Sequence, residues 1–134
     1  MALKSETLPI ASSPDVVKVR QVVRLWAIEL KFSLVDQTKM VTAASELARN
    51  TLEHGGGGSV LVSMVEEGAR RGIKLVFDDK GPGIANLELA LRDGYTTGGG
   101  MGLGLSGSKR LVNDFEINSE PGRGTTVTII RWKL

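Results

Sequence analysis

The sequence predicts an α+β fold, a two-layer sandwich in which a mostly antiparallel mixed sheet carries its helices on one face. Segments with strand and helix periodicity follow in the order strand, two helices, two strands, helix, loop, helix, two strands. Strands joined by tight turns pair antiparallel, and helices that arrive in blocks pack together on one face. The chain has 134 residues, 41% of them hydrophobic, which is enough for a single domain over residues 1–134.

The first half of the chain is predicted to form a strand over residues 5–11, a helix over 13–32, and a second helix that begins at Asp36 and ends at the glycines of 55–58. Pro9 confines the strand to an edge of the sheet, because proline cannot donate to a neighbouring strand. Ser13, Pro14 and Asp15 indicate a helix start, with the serine as N-cap.

The second half is predicted to form strands over residues 59–67 and 73–79, a short helix over 86–93, a mobile loop over 94–104, a helix over 105–114, and a hairpin whose last strand covers 125–132. The letters ARRG between the first two strands indicate their turn, and residues 121–124 the turn of the hairpin. The 17 glycines gather at four places, which indicates tight turns or close approach of the backbone to a ligand.

Composition excludes several classes of function. A net charge of +2 and 4% aromatic residues argue against nucleic acid as a partner. Without cysteine, and with one histidine, the chain has no disulfides, no thiolate nucleophile and no His-rich metal site. No signal peptide or membrane span is visible. We therefore expect a cytoplasmic protein that depends on a cofactor or on partners.

The segment DDKGPGI, over residues 78–84, places a carboxylate and two glycines at the end of a strand. Because an ionised carboxylate only accepts hydrogen bonds, Asp79 suits an exocyclic amine such as that of adenine. Gly81 and Gly83 would let the backbone pass close to the base. A plain turn after a strand is the alternative interpretation.

The segment TTGGGMGLGL, over residues 96–105, leads from a glycine loop into a helix. Its glycines are Gly98, Gly99, Gly100, Gly102 and Gly104. Successive backbone N–H groups and a helix N-terminus favour anions, so the segment predicts phosphate binding; a disordered linker is the alternative. The spacing Gly102-x-Gly104-x-x-Gly107 matches the dinucleotide fingerprint, but that fingerprint follows a strand, so a Rossmann site is excluded.

Three polar residues, Glu46, Asn50 and His54, lie four apart on one side of the second helix. If nucleotide phosphates lie under the glycine loop, they need Mg²⁺, and the side-chain oxygen of Asn50 can bind it. Glu46, one turn earlier, would then accept a proton from the hydroxyl that attacks the γ-phosphate. An exposed polar face is the alternative for both residues.

Two further side chains of this helix carry weaker hypotheses. His54 is interpreted as a C-terminal cap, with a phosphate contact as the lesser option. Arg49 either pairs with Glu53, four residues later, or contacts a phosphate, and the sequence does not separate these.

The order of these motifs resembles the GHKL nucleotide-binding family, which includes gyrase B, Hsp90 and histidine kinases. The resemblance extends from about Ser13 to Trp132; the N box of the family resembles Glu46–His54, the G1 box Asp79–Gly83, and the G2 box Gly100–Leu105. Thr125 resembles the threonine that supports adenine beside Asp79. The resemblance implies the Bergerat fold, in which ATP lies between helices and a lid, here the glycines of residues 98–104, with Leu105 at the site.

Within the family, the motifs are similar to stand-alone serine/threonine kinases of bacterial partner-switching (stressosome) systems and, more loosely, to anti-sigma factor kinases. This resemblance implies that Mg·ATP phosphorylates a STAS-domain antagonist protein. It implies, as alternatives, a nucleotide-switched module that activates a PP2C-type phosphatase or sequesters a sigma factor. The helix face with Lys18, Arg20 and Arg24 is either a docking surface or plain solvated surface.

Overall fold

A computed structural model of the chain describes residues 2–84 and 101–133, with residues 101–104 described by their backbone alone. The described residues form β1 (Ala2–Ile10), α1 (Ser13–Glu29), α2 (Leu34–Glu53), β2 (Gly58–Glu67), β3 (Arg70–Asp79), α3 (Met101–Arg110), β4 (Asp114–Glu120) and β5 (Gly124–Trp132). The strands form one sheet in the order β1-β2-β3-β5-β4, and each described pairing is antiparallel. The predicted α+β class is confirmed, and β1, which contains Pro9, lies at an edge as predicted.

The sheet turns one apolar face toward the helices because side chains alternate along its strands. Val60, Phe77 and Val127 lie opposite one another on three neighbouring strands, and all three are buried. The next pair across the same strands, Leu61 and Val76, points to the opposite face and is more exposed. Helices α1 and α2 complete the core with the buried side chains of Val19, Val23, Ala27, Met40, Ala43, Ala44 and Leu47.

Helix α1 begins and ends at different residues from those predicted. Its N-cap is Ser12 rather than Ser13, because the Asp15 carboxylate accepts the backbone N–H groups of Ala11 and Ser12 at 2.8 and 3.1 Å. It ends at Glu29, three residues early. The apolar pattern continues to Phe32, but this residue has already left the helix when it packs into the core.

The end of α1 is a Schellman motif with a lysine at its left-handed position. Lys31 has φ 64°, and its N–H donates to the carbonyl of Ile28 at 2.9 Å. The N–H of Phe32 donates to the carbonyl of Ala27, also at 2.9 Å. Since a side chain at positive φ costs energy that glycine avoids, this turn is strained by its sequence.

We expect Lys31→Gly to raise the free energy of unfolding by about 1 kcal/mol, because glycine adopts the left-handed conformation without strain. Urea unfolding monitored by Trp26 and Trp132 fluorescence measures this change. The matched control is Lys18→Gly, in the middle of α1, which should lower the same free energy by about 1 kcal/mol. A destabilised Lys31→Gly variant would contradict the prediction.

Other boundaries also differ from the sequence prediction. Helix α2 starts at Leu34 instead of Asp36, because the Ser33 hydroxyl caps it by accepting the Asp36 N–H at 3.1 Å. The turn predicted at ARRG is centred on Gly68 and Ala69, and both arginines belong to β3. The last part of the predicted loop, residues 101–104, belongs to α3, which ends at Arg110 instead of Asp114. The predicted helix over 86–93 and Gly98, Gly99 and Gly100 lie outside the described residues.

A buried ion pair joins the start of α2 to the sheet. Arg131 of β5 is buried, and its Nη2 donates to a carboxylate oxygen of Asp36, while its Nη1 donates to the Leu111 carbonyl at 2.8 Å. The hydrogen bond from Arg131 lowers the pKa of the Asp36 carboxyl below its ordinary value. One guanidinium therefore fixes α2 against β5 and the segment after α3.

Candidate functional site

A pocket opens between α2, α3 and one end of the sheet. Its lining residues are Leu47, Asn50, Thr51, Phe77, Asp79, Ile84, Leu105, Thr125 and Val127. Four of these, Asn50, Asp79, Leu105 and Thr125, were predicted from the sequence. They come from four different elements, so only folding brings them together.

Asp79 and Thr125 meet because they are cross-strand partners at the end of β3 and the start of β5. One carboxylate oxygen of Asp79 accepts the Gly81 N–H at 2.9 Å, which holds the side chain in an Asx turn. The carboxylate lies over Gly55, where an added Cβ would come within 2.4 Å of its Cγ. Because an ionised carboxylate offers about four acceptor positions, Asp79 has capacity left for a donor in the pocket.

Gly81 and Gly83 contact protein backbone. A Cβ at Gly81 would lie 2.7 Å from the Gly55 Cα, and one at Gly83 would lie 2.2 Å from the carbonyl oxygen of Glu120. These glycines therefore let the loop after β3 pack on the end of α2 and on the β4–β5 turn. Neither lines the pocket, and their approach to a base stays a prediction.

Ser119 organises this wall of the pocket, and sequence analysis missed it. Its hydroxyl accepts the Ile84 N–H at 2.8 Å, donates to the Gly124 carbonyl at 3.0 Å, and lies 2.8 Å from the Thr125 hydroxyl. Ser119 thereby ties the loop after β3 to the hairpin and positions the Thr125 side chain. The available signal was the hairpin register, which pairs Ser119 with Thr125 across the turn at residues 121–124.

The remaining lining is largely apolar and was also missed. Leu47, Phe77, Ile84 and Val127 surround the polar groups, as expected for a pocket that takes a planar ring and orients it by a few hydrogen bonds. The hydroxyl of Thr51 is already used, because it donates to the Leu47 carbonyl at 2.9 Å. In the sequence these residues look like ordinary core positions.

Asn50 is the second polar side chain that α2 contributes to the pocket, beside Thr51. Its amide nitrogen is buried and has no hydrogen-bond partner in the part of the chain that the structure describes. A buried amide without a partner costs about 1–3 kcal/mol, so it marks a place where a ligand or water completes the structure. The amide also carries an oxygen of the kind that Mg²⁺ accepts as a ligand, so the side chain fits a Mg·nucleotide complex.

The other predicted residues of α2 lie beside the pocket without lining it. Glu46 is 39% exposed at its side chain, and its Oε1 accepts from Arg49 Nη1 at 3.0 Å. Arg49 therefore pairs with Glu46, three residues before it, and not with Glu53, which was one of its two predicted options; the phosphate contact stays a prediction. His54 occupies the C-cap position of α2, and its N–H donates to the Asn50 carbonyl at 2.9 Å.

The family model described as histidine kinase-, DNA gyrase B-, and HSP90-like ATPase matches residues 35–134. The chain belongs to this ATPase family. The match contains both sides of the pocket, from α2 to β5, so the predicted Bergerat-type fold and GHKL membership are confirmed.

Comparison with curated proteins indicates which activity the chain has within this family. The chain is 42% identical over 118 residues to the serine/threonine-protein kinase RsbT of Bacillus subtilis, covering 88% of this chain and 89% of that protein. It is 29% identical over 119 residues to an anti-sigma F factor of Bacillus licheniformis, covering 84% of this chain and 80% of that protein. The chain is thus an ATP-dependent serine/threonine-protein kinase of the partner-switching type, as predicted.

A solved structure agrees in fold. The crystal structure of the RsbU and RsbW domains of a Mycobacterium tuberculosis protein matches with a TM-score of 0.63 and 23% identity. The match covers 98% of this chain and 33% of that longer one. None of the helices in residues 2–84 and 101–133 combines the length and apolarity needed to cross a membrane.

Proposed function

We propose that residues 1–134 act as a single ATP-binding kinase domain that transfers phosphate from Mg·ATP to a serine or threonine of a STAS-domain antagonist protein. The observation that carries this proposal is the buried amide nitrogen of Asn50, which has no hydrogen-bond partner among the described residues, in an apolar pocket that also contains the Asp79–Thr125 pair. The similarity to the serine/threonine-protein kinase RsbT supports transfer to a serine or threonine. The STAS partner, the cytoplasmic location and the stressosome role are those that the motif resemblance implies.

At the base end of the pocket, Asp79 accepts the exocyclic amine of adenine, and Thr125 supports it from the neighbouring strand. Phe77 and Val127 provide the apolar surface against the ring. Ser119 keeps Thr125 in place through its 2.8 Å contact. Because its ionised carboxylate can only accept hydrogen bonds, Asp79 selects a base that presents a donor group at its edge.

At the phosphate end, α3 begins at Met101, so its first backbone N–H groups suit an anion. Gly102 and Gly104 belong to this first part of α3, and Leu105 is buried at the pocket. With Gly98, Gly99 and Gly100 they form the proposed lid. Arg49 and His54 remain weaker candidates for a phosphate contact.

Asn50 would hold Mg²⁺ through its side-chain oxygen, and the metal would neutralise phosphate charge during transfer. Glu46 accepts the proton of the attacking hydroxyl, as a general base. Its half-exposed position suits this task, because the hydroxyl arrives on another protein. The ion pair with Arg49 is exposed and costs less than about 1 kcal/mol to exchange.

A second candidate function is supported by the anti-sigma F factor relatives. In that case the chain would hold a sigma factor or activate a PP2C-type phosphatase, with nucleotide acting as a conformational ligand.

The kinase proposal is tested with the purified chain, radiolabelled ATP and a STAS protein encoded nearby. We expect label on a serine or threonine of that protein, and loss of label with Asn50→Ala. Parallel binding assays use a sigma factor and a PP2C-type phosphatase. Nucleotide-dependent binding to one of these, without any label on the STAS protein, would reject the proposed substrate in favour of the second candidate.

We expect Asp79→Asn to weaken ATP binding by about 1–3 kcal/mol, because an amide replaces a charged acceptor. Isothermal titration calorimetry measures the affinity. Asp78→Asn is the matched control: Asp78 is the preceding residue of the strand, and its carboxylate accepts from the Thr126 hydroxyl at 2.9 Å on the other face of the sheet. Equal loss in both variants would show that Asp79 is not a specific contact.

A further inference from the structure

The end of α1 and the start of α2, two packed helices joined by a short turn, carry exposed aliphatic side chains, which we group as one aliphatic cluster. Leu25, Ile28, Leu34 and Val35 are 52–72% exposed, and they are the four most exposed of the seven large hydrophobic side chains found at the surface of the described residues. Single exposed aliphatic residues are ordinary on a soluble protein, whereas clustered ones mark an interaction site.

A positively charged groove lies beside this cluster, between the α1–α2 turn and the β2–β3 turn. The charged residues that line the groove are Glu29, Lys31, Arg70, Arg71 and Lys133. The groove therefore has four cations against one carboxylate. We call the aliphatic cluster and these four cations together the turn surface.

The arginines of the groove have partners within the chain. Arg70 stacks over the Trp132 ring at 3.9 Å and pairs with Glu67 at 2.7 Å, while Arg71 pairs with Glu66 at 3.0 Å. Exposed ion pairs of this kind are weak, so carboxylates of another protein can replace the internal partners. Glu29, Glu66 and Glu67 supply three carboxylates against these four cations, so the net charge of the groove and its ion-pair partners is positive.

Lys31 joins the two halves of the turn surface. Its N–H donates to the carbonyl of Ile28, Leu34 follows it in the chain, and its backbone is left-handed at φ 64°. Glycine would relieve this backbone strain, yet the exposed position carries a lysine. We take this as an indication that the lysine side chain has a function. Here that side chain lines the groove next to the aliphatic cluster.

We propose that the turn surface binds an acidic amphipathic α-helix of a partner protein. Such a helix presents an aliphatic stripe bordered by carboxylates, which complements an aliphatic cluster bordered by cations. Addition of a strand does not suit this surface, because its aliphatic side chains lie on helices and their connecting turn. This interaction is additional to phosphotransfer.

The turn surface lies far from the nucleotide pocket. Arg70 and Arg71 begin β3, and Asp79 ends it, so the two sites are about 30 Å apart along a strand that rises about 3.3 Å per residue. The chain can therefore hold one protein at the turn surface while its pocket is free to act on another.

Two other occupants fit less well. A second copy of this chain would present the same cations, so its charge does not complement the groove. An anionic membrane favours a flat surface with many unpaired cations, whereas this groove is concave and its arginines are paired with Glu66 and Glu67.

The test uses a synthetic helical peptide with a leucine stripe bordered by glutamates, and a second peptide with lysines in place of the glutamates. We expect the acidic peptide to bind, to weaken with added salt, and to shift amide NMR signals near residues 25–35 and 70–71 without displacing ATP. Binding of the lysine peptide with equal affinity, or shifts elsewhere, would overturn the proposal.

Matched variants separate charge from apolar contact. Arg70→Glu should weaken acidic-peptide binding about tenfold, while Arg123→Glu, in the equivalent exposed pair with Glu120, should not. The double variant Leu34→Ser with Val35→Ser should weaken binding of the acidic peptide by a similar factor, while Leu61→Ser, on the sheet, should leave that binding unchanged. Binding of the unmodified chain to phosphatidylglycerol vesicles but not to the peptide, or dimerisation that Leu34→Ser abolishes, would replace the proposed occupant with a membrane or a second copy.

Discussion

Replacing Glu46 with alanine is expected to slow phosphotransfer to the partner protein by about 10²–10⁴-fold, the usual contribution of a positioned general base. ATP affinity should stay close to that of the unmodified chain, because Glu46 does not line the nucleotide pocket. Alanine preserves α2, since it has the highest helix propensity. Single-turnover transfer of radiolabel from ATP, alongside calorimetric ATP binding, measures both quantities.

Two variants on the same helix serve as controls for Glu46. Glu53→Ala removes an exposed carboxylate two turns later and should leave the transfer rate nearly unchanged. Arg49→Ala breaks the 3.0 Å ion pair but keeps the carboxylate, so it separates loss of the pair from loss of the base. If Arg49→Ala and Glu46→Ala slow transfer equally, the ion pair matters and Glu46 is not the base.

Asp36→Asn is expected to lower the free energy of unfolding by about 3 kcal/mol. The variant leaves the buried Arg131 guanidinium without its carboxylate, and breaking a buried ion pair by removing one partner costs about 3–5 kcal/mol. Urea unfolding at neutral pH measures the change. Glu29→Gln, in the exposed pair with Lys4, is the control and should change stability by less than about 1 kcal/mol.

The effect of Asp36→Asn should depend on pH. The Arg131 hydrogen bond lowers the pKa of Asp36 in the folded protein relative to the ordinary value of 3.8. A carboxyl with a lowered pKa stabilises the folded state fully above its unfolded pKa, and this stabilisation is lost as pH falls through the folded pKa. The difference between the two proteins should therefore shrink below about pH 4. A difference that stays constant in acid would mean that the carboxylate charge is not its source.

The fold was predictable where one physical rule acts locally. Pro9 predicted an edge strand from its missing N–H, and the apolar spacing in α2 predicted its buried face. The ends of elements were not predictable in the same way. Phe32 continues the helical pattern of α1, yet the chain has already turned at Lys31 so that this ring reaches the core.

The site was predictable where a residue is unusual for its element. Asn50 in a core helix and Asp79 before a glycine loop both stand out in the sequence, and both line the pocket. Ser119 does not stand out, because its importance comes from three partners in two other segments, Ile84 after β3 and the neighbours Gly124 and Thr125 at the start of β5. For Arg49 the sequence left a pair with Glu53 or a phosphate contact open, and the structure pairs it with Glu46 instead of Glu53, because both acids are at helical spacing and only the side-chain geometry chooses between them.

By itself, the sequence determined the class of fold and the order in which polar and glycine motifs occur, because these depend on periodicity and on residue type, and the order of the motifs carried the resemblance to the family. The tertiary structure alone decided which of these motifs meet. Cross-strand register brings Asp79 to Thr125, and packing of α2 on the sheet places at the same pocket the buried Asn50 amide nitrogen, which has no partner in residues 2–84 and 101–133. Packing also gathers Arg70, Arg71 and the α1–α2 turn at the opposite end of the molecule. Contacts between distant segments depend on the whole arrangement of the chain, which no local pattern contains.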